Sequence, residues 1–158
     1  KSKAADVGDF LKLLDTRQSR EIAHLEGRTP PLDKQIELVM DRAEAEVAEV
    51  FIVVLEPGQA PPLHVHDDTE QIFFVLEGNG RLQIGESAER FAVKPSDLVR
   101  IPPHTYHQIF CEGTKPLRYL SVDCFVGGRP KDEPTWESHV RAICELNGWD
   151  WDKVKRET

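Results

Sequence analysis

A chain of 158 residues is sized for one domain, and a hydrophobic fraction of 39% with seven Phe, two Tyr and three Trp is enough for a packed core, which excludes wholesale disorder. Twenty Lys and Arg against 28 Asp and Glu give a formal charge of −8, which speaks against nucleic acid as a partner, because phosphate binding needs a basic face. Cys111, Cys124 and Cys144 form no C-x-x-C pair, the start Lys1–Phe10 lacks a signal-peptide apolar core, and no run approaches the roughly 18 apolar residues of a membrane span; the expectation is a soluble cytoplasmic protein without disulfides, a zinc finger or a membrane partner.

Val7, Phe10, Leu11 and Leu14 recur at i, i+3, i+4, i+7 and predict a short amphipathic helix. Residues 16–33 are polar, hold Pro30-Pro31 and read as an irregular arm, so that 1–35 forms an N-terminal extension. From Ile36 the period changes to two. Strands are predicted at 36–40, 47–55, 63–66, 71–77, 81–84, 91–93, 98–101, 107–111 and 117–125, separated by Pro57-Gly58, Asp67-Asp68, Pro95-Ser96-Asp97, Pro102-Pro103 and Glu112-Gly113. Gly78-Asn79-Gly80 reads as a hairpin turn, and the acidic stretch 44–49 as the solvated side of a strand edge. Many short strands at regular spacing indicate an all-β antiparallel sandwich or barrel over 36–127. The segment 128–158 then supplies a linker and a helix carrying Trp136, Val140, Ile143 and Cys144, stopped by Gly148, with Trp149 and Trp151 packing it onto the barrel.

Four of the six histidines, His64, His66, His104 and His107, lie in the strand-rich middle; His24 and His139 fall outside it. His64 and His66 are two apart, so on an extended segment both rings turn to one face and can share a metal ion. Glu70 or Gln71 opens the next strand and can add an oxygen donor, and His107 can arrive from a later strand. Such a nitrogen and oxygen set suits zinc, iron, nickel, cobalt or manganese. H-x-H alone is equally compatible with two hydrogen-bonded surface histidines.

The wider pattern is more specific. Gly58, five residues, His64-Val65-His66, four residues, Gln71, six residues and Gly78 resembles the first signature of the cupin superfamily; Asp97 followed by Ile101-Pro102-Pro103-His104-Thr105-Tyr106-His107 resembles the second. The resemblance implies an antiparallel double-stranded β-helix, a jelly-roll barrel, with short helical extensions at both ends. It also implies one divalent transition metal inside, held by His64, His66 and His107. Where that family usually has a glutamate ligand this chain has Gln71, with Glu70 as the alternative one position earlier; Ser96 stands where it commonly has glycine, and so does His104, which reads as a turn or rim residue rather than a ligand.

Two functions follow. One is a metal-dependent enzyme, of oxygenase, isomerase or lyase type as the resemblance implies, acting on a small polar or anionic molecule, with Tyr106 a hydrogen-bond donor at the rim. The other is a non-catalytic module that uses the metal to hold a small ligand. No helix-turn-helix is appended. The strand 71–77 is apolar on both faces, Gln71, Phe73 and Val75 against Ile72, Phe74 and Leu76, which predicts cover on both sides and a homodimer.

Overall fold

The computed structural model describes residues 20–24, 34–87, 89–148 and 150–151; the helix expected over Val7–Leu14, and Trp149, lie outside them. Among these residues nine strands are formed: β1 (Arg20–His24), β2 (Lys34–Met40), β3 (Ala48–Leu55), β4 (Thr69–Glu77), β5 (Asn79–Ile84), β6 (Arg90–Val93), β7 (Leu98–Ile101), β8 (His107–Glu112) and β9 (Leu117–Phe125), followed by the helix α1 (Trp136–Asn147). They build two antiparallel sheets, one in the order β1-β2-β3-β9-β4-β7 and one in the order β6-β5-β8.

Period-2 alternation sets the core. On β4 the odd positions Gln71, Phe73 and Val75 are buried while Glu70, Ile72, Phe74 and Leu76 are only partly so. On β9 Leu117, Tyr119, Ser121, Asp123 and Phe125 share the buried face. A single apolar cluster joins Phe73 and Val75 of β4 and Leu117 and Tyr119 of β9 to Phe51, Val53 and Leu55 of β3 and to Leu82, Val93, Ile109 and Cys111 of the smaller sheet, so each sheet's apolar face is buried against the other. Each fully buried Leu or Ile contributes about 1.5–3 kcal/mol.

Three local expectations are corrected. The arm 16–33 is not irregular throughout, since β1 pairs with β2 from Arg20↔Leu38 to His24↔Gln35; an edge strand of this kind is held by backbone bonds, which its polar composition does not reveal. Gly78 does not turn a hairpin: β4 and β5 belong to different sheets, and Gly78 is the corner between them. Its φ of +77° is left-handed, and a Cβ there would meet the Pro116 carbonyl oxygen at 2.2 Å, so only glycine fits. Residues 63–66 form no strand; Pro61-Pro62 supplies no amide hydrogens, and His64 makes a lone antiparallel bridge to His107.

The acidic stretch 44–49 is also more than solvated edge. Glu49 is buried, its carboxylate accepting Arg42 Nε at 2.7 Å and Nη2 at 2.6 Å, while Arg42 also reaches Glu133 at 3.4 Å and covers the Phe125 ring. Asp41 Oδ1 accepts from the Ala43 amide at 2.8 Å, within the short 3₁₀ turn Arg42–Glu44, and from the Trp136 amide at 3.0 Å. These contacts dock α1, which begins at a Thr135–Ser138 capping box and ends on Gly148 in the left-handed conformation. Trp136, Val140 and Cys144 are buried, with Trp136 5.3 Å from Phe51; Trp151 packs on the core beneath Arg141. In the β6–β7 turn Ser96 keeps a left-handed φ of +73°, while Asp97 accepts from the Lys94 amide and ammonium, which hold its carboxyl below the usual range. No helix among the described residues is long and apolar enough to cross a membrane.

Candidate metal centre

The extended segment after Pro61-Pro62 is clamped to the start of β8 by two backbone bonds. The His64 amide donates to the His107 carbonyl at 3.1 Å, and the His107 amide donates to the His64 carbonyl at 2.9 Å. His66, two residues on, therefore shares a side with His64, and the three rings converge: centroids are 4.2 Å apart for His64 and His107, 5.0 Å for His64 and His66, and 5.6 Å for His66 and His107. One ligand nitrogen from each lies within 4.8 Å of the others, close enough to converge on one ion.

Two backbone carbonyls fix the tautomers. His64 Nδ1 lies 2.8 Å from the Pro62 carbonyl and His107 Nδ1 lies 3.0 Å from the Thr105 carbonyl. A carbonyl only accepts, so each Nδ1 carries the proton and each Nε2 the lone pair. His66 Nε2 is buried without a hydrogen-bond partner. Burial first, then the charge of His107 and that of His139, lower the His66 pKa to about 4, so its ring is neutral at neutral pH and able to bind a cation. The donor set present thus fits a divalent transition metal.

Gln71 stands on the same buried face of β4 as Phe73, whose ring lies 6.1 Å from that of His107. Its Nε2 donates to both oxygens of Asp123, at 2.9 and 3.1 Å, and its Oε1 is buried with no hydrogen-bond partner. Ser121 Oγ donates to Asp123 Oδ1 at 3.0 Å. Burial, then the charge of Glu49, pushes the Asp123 carboxyl up to about 7 against the pull of Gln71, Ser121 and Arg42. Burial, then Asp123, also pushes the Tyr119 hydroxyl up.

The structure thus brings together His64, His66 and His107, with Gln71 on the neighbouring interior face. Glu70, the alternative to Gln71, points to the opposite face and is ion-paired with Arg100 of β7. His104 sits at a left-handed φ of +58°, exposed in the turn beside Asp67, its amide donating to the His66 carbonyl at 2.7 Å. Tyr106 lies in the same turn, 40% exposed, and is not drawn into the cluster. Sequence reasoning missed Asp123 and Ser121, and read His139 as outlying, where it pairs with Glu133 at 2.5 Å. The signal for the first two was available: two polar residues on the apolar face of β9.

A family model for the cupin domain matches residues 51–123, a span that holds all three clustered histidines, Gln71 and Asp123. Residues 51–123 are a cupin domain. This cupin is 38% identical over 74 residues to the uncharacterized protein MJ1618 of Methanocaldococcus jannaschii, 30% over 81 residues to auxin-binding protein 1 of Arabidopsis thaliana, and 33% over 86 residues to quercetin 2,3-dioxygenase of Bacillus subtilis. Those matches cover 47%, 47% and 51% of the chain and 55%, 40% and 25% of the respective relatives. In structure it is similar to an uncharacterized conserved protein with a double-stranded β-helix domain from Klebsiella pneumoniae, with a TM-score of 0.53 and 17% identity over 78% of this chain and 90% of that one.

Proposed function

We propose that this cupin holds one divalent transition metal on His64, His66 and His107, with Gln71 Oε1 as the fourth donor, and acts on a small anionic molecule as a metal-dependent enzyme of oxygenase type. In this reading residues 36–127 are a double-stranded β-helix and the metal lies inside it. The observation that carries it is the convergence of three imidazoles within 4.8 Å, two of them locked by backbone carbonyls into the tautomer that offers Nε2. Iron, nickel, cobalt, manganese and zinc all accept such donors, and the bound ion would supply Lewis acidity or, if redox-active, oxidative chemistry. Four neutral donors do not cancel the ion's +2 charge, and with one carboxylate behind Gln71 the site would still be net positive, which favours an anion; the chain's own −8 disfavours nucleic acid. His64 and His107 orient the site through Pro62 and Thr105, and Phe73 and Tyr119, both buried, keep water from its floor.

The outer face of the larger sheet carries Ile52, Leu120, Phe74 and Leu98 opposite one another on four strands. We assign it to a homodimer interface, and the three free thiols to the cytoplasm. The similarity to auxin-binding protein 1 supports a second reading, a module that binds a small molecule without turnover.

The test is metal content by mass spectrometry on protein purified without an affinity metal column. About one ion per chain, lost in His64→Ala/His107→Ala, is the expected result; no ion in either protein after each metal has been offered would overturn the site. Metal-dependent substrate loss or oxygen uptake that disappears in His66→Ala separates the enzyme from the binding module.

A further inference from the structure

We infer that Asp123 is the positioning residue of the site: it turns the Gln71 amide so that Oε1 faces the metal position, and it supplies from behind Gln71 the negative charge that the four neutral donors lack. This rests on the metal site proposed above. Asp123 lies opposite Gln71 in the β4–β9 register, on the inward face of β9. Beside a divalent ion Asp123 is held ionised, and an ionised carboxylate only accepts hydrogen bonds while an amide nitrogen only donates them. The Gln71 amide can therefore meet Asp123 with its NH₂ end alone, as it does at 2.9 and 3.1 Å, and its oxygen must turn the other way. That oxygen is buried and bonded to nothing in the protein, an arrangement that destabilises a fold unless a cation or donor occupies the space before it.

Ser121 completes the chain of bonds by donating to Asp123 Oδ1 at 3.0 Å. Both carboxylate oxygens are then engaged, Oδ1 by Gln71 and Ser121 and Oδ2 by Gln71. The carboxylate is 6% exposed and Gln71 5% exposed, so the attraction between a divalent ion and the charge behind its ligand acts through protein rather than water. Glutamine at position 71 is thus one half of a two-residue ligand: the oxygen comes from Gln71 and the charge from Asp123.

Cobalt(II) titrated into metal-free protein, followed by its visible d–d absorption, reads both affinity and coordination without any substrate. Asp123→Asn is expected to bind cobalt about 10–100-fold more weakly with an altered spectrum, because its amide can pair with either end of Gln71 and carries no charge. Its metal-free melting temperature should match or exceed that of the wild type, since an unfavourably buried carboxylate is removed. Gln71→Glu/Asp123→Asn moves the charge one residue inward and should recover most of the affinity. Wild-type affinity and spectrum in Asp123→Asn, or a double variant no better than that single one, would overturn the role of Asp123 while leaving the metal site standing. Wild-type protein that takes up no cobalt overturns the site itself and this inference with it. Should Asp123→Asn not fold, Asp123→Ser, which removes both the charge and the partner of the Gln71 NH₂ end, carries the test: weaker binding with a changed spectrum supports the role, and wild-type behaviour overturns it.

Discussion

Arg42 and Glu49 are 2% and 1% exposed, and their two short hydrogen bonds of 2.6 and 2.7 Å are parallel and charge-assisted. Each bond of this kind contributes about 1.5–3 kcal/mol. Arg42→Met removes both and leaves the Glu49 carboxylate buried without its cation, so the expected loss is about 3–5 kcal/mol, a large share of the roughly 5–15 kcal/mol that holds a domain together. Glu49→Leu should lose less, because Arg42 keeps Glu133 and the Phe125 ring, 5.0 Å from its guanidinium. Arg42→Met/Glu49→Leu removes both charges and fills the space with apolar atoms, so its stability should lie within about 1 kcal/mol of wild type or above it. Urea unfolding followed by tryptophan fluorescence reports all four proteins, since Trp136 is buried against Phe51. The reasoning fails if the double variant loses the sum of the two single losses, because additivity would mean the charges do not depend on each other.

Two further outcomes are expected. In metal-free protein His66, at about 4 folded against 6.5 unfolded, adds stability that is complete above pH 6.5 and lost towards pH 4, about 3 kcal/mol across the window, whereas Asp123, at about 7 against 3.8, gives the opposite slope of similar size. Urea midpoints should therefore change little between pH 4 and 7 in the wild type and fall with falling pH in Asp123→Asn; an equally flat variant would refute the pairing. Light scattering should give twice the 18.0 kDa chain mass, shifting to the monomer in Phe74→Lys, and a monomeric wild type would remove the dimer.

The strands were legible where apolar residues recur in period two or run together between turn residues, as the alternately buried β4 and β8 show. From Gln71 to Phe125 the predicted strands 71–77, 81–84, 91–93, 98–101, 107–111 and 117–125 match β4 to β9 to within two residues at each end. The histidine cluster was legible for the same reason: the two-residue step from His64 to His66 has only one geometric meaning on extended chain. What the residues did not reveal lies in pairings between distant segments. Glu49 reads as one acid among several until the fold brings Arg42 over it, and Asp123 reads as a strand polar residue until β9 slides in beside β4 and sets it against Gln71. The carbonyls of Pro62 and Thr105 that orient His64 and His107 are backbone groups, identical in every sequence and silent in this one. The misread corner at Gly78 follows the same rule, since the need for glycine there comes from the Pro116 carbonyl, 38 residues downstream by the numbering.

The strand that comes last in the chain occupies the middle of the larger sheet. β9 is bonded to β3 on one side, through registers from Ala48↔Cys124 to Leu55↔Leu117, and to β4 on the other, from Thr69↔Phe125 to Glu77↔Arg118. Synthesis proceeds at about 5–20 residues per second, so for several seconds a nascent chain holds β3 and β4 with their inner edges open and the gap between them empty. Neither can pair with the other across a missing strand, and both offer apolar faces and unbonded amides to any neighbour. The ribosome therefore delivers the keystone after the arch. Until residue 125 emerges those two edges stay open, which is the kind of transient exposure that makes a folding chain prone to aggregation.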